Sequence, residues 1–410
     1  MTPDTSTQEP LRNEEPTSAA AKVWRLLELV SIADGPDSPE SAAAAEIART
    51  GVDANELLAR AARNGLVPGL ADFLVAQDLK GVVPHHMQLH MIDALRWNKF
   101  RTEAHISEAV RISEGFDRAG VRVACNKGIV FQSVLYAGRH SRYFNDIDLM
   151  VHPRDTAAAA ETLLSLGYTA DKQYDRRSQK LVDLPRSEKV MFRLYPDHLP
   201  HFHRLLDGGG LPFFMVDVAY NVSWYGSGWQ VPMDDVMSDL QRLPARPGNA
   251  DETLPALAAP YGFLFLVLHL FREAWFERTV RKTDVRLTQF ADIVRYWRRL
   301  ASRQAGSLRA VIDRHGLHSV VAWVCHHTDS LYGTTITTEI GGLEEFVDPA
   351  WLQSAGAANG SYLAWSGDMR SRLNRDTLIE LTPAPEPPYL PGHGSKPVRV
   401  NATNDDTSRV

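Results

Sequence analysis

The chain has 410 residues and carries 50 acidic against 44 basic side chains, a formal charge of −6. That length allows two or three compact units with cores of their own, and the acidic balance supplies no global cationic field, so long nucleic acid is not an expected partner. The two cysteines, Cys125 and Cys325, lie far apart and outside any CxxC pair, which argues against a zinc finger and for a reducing compartment, the cytoplasm.

Residues 1–20, "MTPDTSTQEPLRNEEPTSAA", place acids and prolines where an export signal has basic residues and an apolar run; they read as a mobile tail. Residues 21–119 show helical spacing in "AAKVWRLLELVSIA", in "DANELLARAARNG" with Asp53 and Glu56 placed for a capping box, and in the long run ending "RISEGFDRAG". The pattern changes after Gly120. "VRVACN" reads as a strand, "KGIVFQSVLYAG" as a turn into a helix, "FNDIDLMV" as a strand, "DTAAAAETLLSLG" as a helix, and "KVMFRLY" and "FFMVDVAYNV" as further strands. That order predicts an α+β core over 120–245, a mixed sheet with helices on one face. Helical spacing returns over 246–382. Its most apolar window, "YGFLFLVLHLF", is too short to span a bilayer and reads as a buried helix, so no membrane is implied. From residue 383 the Pro-rich, polar sequence reads as a second flexible tail.

Chemistry concentrates in "RYFNDIDLMV". On a strand, Asp146 and Asp148 emerge on one face while Ile147, Leu149 and Val151 enter a core. Two adjacent carboxylates are costly unless a cation lies between them, and magnesium prefers a few carboxylates together with water and phosphate oxygens.

This stretch, with the preceding "NKG" and the later "FMVDVAYNVSW", resembles the uncharacterised nucleotidyltransferase family of the DNA polymerase β superfold, over roughly residues 50–300. The matching positions are Lys127 and Gly128 opening a helix, Arg142 four residues before Asp146, the Asp146–Asp148 strand, and Asp217 as a third acid on a later strand. The resemblance implies a polymerase-β-like sheet and metal-dependent transfer of a nucleoside monophosphate from an NTP. Asp146, Asp148 and Asp217 would hold Mg2+ or Mn2+, with Asp217 as the general base or its metal-ligand surrogate. Lys127, at a helix start, would bind triphosphate; Arg142 would do likewise or brace the carboxylates. The acceptor would be a hydroxyl or phosphate of a small molecule or peptide, as in natural-product tailoring. Arg193, on the face of Lys189 and Met191, becomes a nucleotide contact if that face lines the cleft. Two positions depart from the family's pattern: its Gly-Ser turn reads "NKGIVF" here, and Ala219–Tyr220 replaces His-Trp. They keep two rivals open, sugar transfer from a nucleotide sugar at the same metal-diphosphate site, and a degenerate fold used as a binding or antitoxin-like module.

Other clusters read more plainly. His198, His201 and His203 beside Asp197 lack a cysteine or a helix to fix ligand spacing, and read as loop histidines. Cys325, His326 and His327 diverge around a helix. His269 and Glu273, four apart on the apolar helix, either face the cleft or pair in the interior. "LLDGGGLPFF" reads as a hairpin connection rather than a phosphate loop.

Overall fold

A computed structural model describes residues 18–186, 189–190, 197–206, 208 and 210–391. The preface to the core is helical: α1 (Ala19–Ile32), α2 (Pro39–Arg49), α3 (Ala54–Arg63), α4 (Val67–Ala76) and the 35-residue α5 (His85–Ala119). Ser18 caps α1 by accepting from the Ala21 amide at 3.1 Å. At α3 the expected capping box is half formed. Asp53 accepts from the Glu56 amide at 2.9 Å, but the Glu56 carboxylate turns forward to Arg60 Nε at 2.7 Å, an i,i+4 ion pair. Gly120 ends α5 with φ +67°, a conformation that costs glycine little.

The next part of the chain includes β1 (Val123–Asn126), α6 (Gly128–Val134), β2 (Ile147–Val151), α7 (Thr156–Ser165), a hairpin of β3 (Lys172–Asp175) and β4 (Lys180–Asp183), β5 (Phe202–Leu205), β6 (Phe213–Ala219) and β7 (Leu240–Arg246). With β8 (Asn249–Leu257), six of these strands make one mixed sheet in the order β5-β6-β2-β1-β8-β7. β2 runs parallel to β6 and antiparallel to β1, while β1 runs parallel to β8. The mixed sheet with its flanking helices is the α+β core that the sequence predicts. The sheet extends past residue 245, where the sequence pattern placed the end of the core, because β8 returns beside β1 and supplies its outer neighbour. Of the expected strand "KVMFRLY", Lys189 and Val190 are helical, and the remainder, Arg193 included, lies outside the described residues.

As a central strand, β2 is buried along its whole length. Ile147, Leu149 and Val151 enter the core as their alternation predicts, but Met150 on the opposite face is also fully buried, so the sheet is covered on both faces rather than one. That second face is partly open along β6, where Met215, Asp217 and Ala219 are only part-buried.

The C-terminal helices include α8 (Ala259–Trp275), α9 (Leu287–Tyr296) and α10 (His318–Tyr332), and they bury Phe271, Trp323 and Trp351 completely. Arg295 ties them to the rest by donating to the carbonyls of Ser31 and Ala33, each at 2.9 Å, and of Leu135 at 3.2 Å. Two expectations fail here. A small sheet, β9 (Ser354–Gly356), β10 (Tyr362–Ala364) and β11 (Thr382–Ala384), interrupts the helical region, and within the part of the expected tail that is described, up to residue 391, Tyr389 packs against the Phe346 ring at 5.1 Å. Among the described residues no helix is long and apolar enough to cross a membrane.

Candidate active site

Register builds the site. Asn126 on β1 pairs with Asp148 on β2, and Asp148 pairs with Asp217 on β6. In-register partners share a face, so the three side chains form a row across the sheet. Asp146 lies in a bend one residue before β2, half-buried, and is close enough to Asp148 to raise the energy of its ionised form. The three acids expected from the sequence are thus brought together at one place on the sheet.

Lys127 follows β1 with φ +45°, an unusual conformation for a side-chain-bearing residue. Its ammonium lies 3.3 Å from Asp148 Oδ1 and 5.3 Å from the centre of the Phe265 ring on α8. Burial works against this charge, but Asp148, Asp217, Asp146 and Glu273 together hold its pKa above the usual lysine value. Burial likewise pushes the Asp148 carboxyl up to about 6; Lys127 and His269 relieve it, while Asp146 and Asp217 add repulsion.

Gly128 serves packing. A Cβ there would sit 2.6 Å from Cγ of Phe144, so glycine lets α6 start against the segment leading to Asp146. Arg142 points elsewhere than either sequence reading placed it. Its Nε lies 2.8 Å from Asp292 Oδ2 on α9, a second nitrogen lies 2.7 Å from the same oxygen, and the Tyr136 hydroxyl donates to Asp292 Oδ1 at 2.6 Å. Burial opposes the Arg142 charge, yet Asp292 raises its pKa well above the ordinary arginine value. Arg142 therefore clamps the core to the C-terminal helices and braces none of the three acids directly.

The wall opposite the acids comes from α8. His269 Nε2 lies 3.1 Å from Glu273, which also accepts from Gln289. Both sequence readings of this pair hold in part: the two groups bond each other, and both act electrostatically on the cleft, His269 on Asp148 and Glu273 on Lys127. Burial disfavours the Glu273 carboxylate, but His269, Lys127 and Gln289 pull its pKa down to about 2.

Sequence reasoning missed three contributors. Arg101 on α5 bonds Asn145 and stacks over Tyr143 at 4.0 Å; burial lowers its pKa, and Tyr143 and Asp146 raise it. It is a buried cation behind Asp146, and its only signal was an arginine within an amphipathic helix. The others are His198 and His201, read as loop histidines. His198 Nδ1 lies 3.4 Å and His201 Nε2 4.0 Å from Asp217 Oδ1. The signal lay in the strand that follows, β5, which was not anticipated.

The acids fit a hard divalent cation. They offer oxygen donors on a partly open face, and Asp217 Oδ1 is buried without a hydrogen bond among the described residues. Comparison with curated proteins finds no match. Residues 50–333 match the family described as uncharacterised nucleotidyltransferase. The matched span contains the whole six-stranded sheet and every acid of the cleft, and the chain belongs to this nucleotidyltransferase family.

Proposed function

We propose that the chain moves a nucleoside monophosphate from an NTP to a hydroxyl or phosphate of a small-molecule or peptide acceptor, with Asp146, Asp148 and Asp217 holding Mg2+ or Mn2+. The observation that carries this reading is the in-register pairing of Asp148 with Asp217, with Asp146 and Lys127 beside them. Nothing in a sheet's stability calls for three carboxylates on one open face; each adds repulsion. When bound, the cation neutralises phosphate charge and lowers the pKa of the attacking hydroxyl. Lys127 places a fixed ammonium where the triphosphate would lie and keeps Asp148 ionised at neutral pH. Asp217, at the half-exposed edge of the row, is placed to receive the acceptor's proton. The Phe265 ring, 5.3 Å from the Lys127 ammonium, puts apolar surface beside the acids, which strengthens charge interactions there by limiting water.

Calorimetry with each NTP and Mg2+ tests the reading. Native protein is expected to bind at least one NTP, and Asp146→Asn with Asp148→Asn to weaken metal-dependent binding at least about tenfold. Unchanged binding in the double variant, or no binding by the native protein, refutes it. Product analysis separates the sugar-transfer rival: pyrophosphate is expected, whereas a released nucleoside diphosphate marks sugar transfer.

A further inference from the structure

We infer that His198, His201 and Asp217 form a second, chemically distinct metal site, one that takes a transition metal such as Mn2+, Co2+ or Zn2+. Each residue offers a ligand atom, and these atoms all lie within 4.8 Å of one another. Metal bonds of about 2.0–2.2 Å place ligand atoms roughly 3–4 Å apart, so small side-chain adjustments close the set on an ion. Two imidazole nitrogens with one carboxylate suit borderline metals, whereas Mg2+ prefers oxygen. Three protein ligands leave further positions open to water or substrate. All three side chains are partly exposed, at 26%, 37% and 27%, so an ion can enter.

The fold supplies the fixed spacing that the sequence lacked. His198 forms an antiparallel bridge with Ala219, and the Leu199 amide donates to the Val218 carbonyl at 2.9 Å. His201 directly precedes β5, whose Phe202 pairs with Val216. Both imidazoles therefore come to the β6 edge beside Asp217, where their rings stack with centroids 5.5 Å apart. Asp197 anchors the segment by accepting from the Tyr220 amide through its carbonyl and from the Tyr225 amide through its carboxylate. His198 Nδ1 also lies 3.1 Å from the Leu199 carbonyl, to which it donates in this geometry; coordination through that nitrogen gives up this hydrogen bond and shifts the neutral ring to its Nε2–H tautomer.

This site goes beyond nucleotidyl transfer and does not depend on it. The test is Co2+ titration of untagged protein followed by visible d–d absorption, with Mn2+ pulsed EPR to detect 14N coupling from imidazole. Expected are one Co2+ bound with a nitrogen-containing coordination sphere, retention of that signal in Asp146→Asn with Asp148→Asn, and at least about a tenfold loss of affinity in His198→Asn with His201→Asn. The single His201→Asn variant, at a half-exposed position, should lose most of the affinity while keeping the native melting temperature. Unaltered Co2+ affinity and spectrum in the histidine variants, or Mn2+ bound without 14N coupling in Asp146→Asn with Asp148→Asn, where the carboxylate site is removed, overturns the site. Loss of Mg–NTP binding alone, with the Co2+ signal intact, counts against the transfer reading and leaves this one standing.

Discussion

Asp148 stands directly across from Asp217 in the parallel register of β2 and β6, and its carboxyl is pushed up to about 6 by burial and by the acids around it. Because the folded pKa exceeds the unfolded one, folding favours the protonated form. This contribution is fully present below the ordinary Asp value and is lost as pH rises through about 6. A divalent cation at the row of acids offsets that loss. Mg2+ or Mn2+ should therefore raise the melting temperature by a few degrees at pH 8 and by much less at pH 5. Equal shifts at the two pH values, measured by thermal fluorescence, would show that Asp148 is not a ligand.

Lys127 is the counter-charge to that carboxylate, 3.3 Å away. Lys127→Met leaves Asp148 buried beside two like charges, and should cost about 3 kcal/mol at pH 8. At pH 5 Asp148 is protonated and the penalty should largely vanish. Urea melts at both pH values check this, and a pH-independent cost would assign the lysine a packing role only.

Arg142 and Asp292 form a buried pair joined by Tyr136. Arg142→Met strands the Asp292 charge and should cost about 3–5 kcal/mol, whereas Arg142→Met with Asp292→Leu should recover much of that. Mg–NTP affinity per folded molecule should stay near native in both variants. A selective loss of nucleotide affinity, measured by calorimetry where the protein remains folded, would return Arg142 to the phosphate site.

Gly128 lies under the Phe144 ring, which would meet a Cβ at 2.6 Å. Gly128→Ala should cost about 1–3 kcal/mol, and adding Phe144→Ala, which removes the Cγ that the new methyl would meet, should cost less than the sum of the two single losses. Chemical denaturation of the single and double variants tests the contact; additive losses would mean the two residues do not interact.

The sequence carried the row of acids because period-two alternation and the spacing of Asp146 to Asp148 are local, and the family resemblance located Asp217. It could not carry the partners. Asp292 lies 150 positions from Arg142, and no local pattern tells an arginine which carboxylate it will meet. For the same reason the histidines read as loop residues: the fixed spacing of His198 and His201 comes from β6, a strand that begins only at Phe213. β8 was folded into the helical region because its own segment, "NADETLPAL", opens with polar residues and contains a proline, and only pairing with β1 and β7 makes it a strand.

The Lys127–Asp148 contact also has a bearing on the order of events. Asp146, Asp148 and Asp217 lie beside a single lysine, Lys127, so carboxylates outnumber ammonium groups on the cleft floor. A bare triphosphate is turned away by that surplus, while a single divalent ion cancels it. On the proposed reading, nucleotide then comes second, or travels in already wrapped around its own counter-ion.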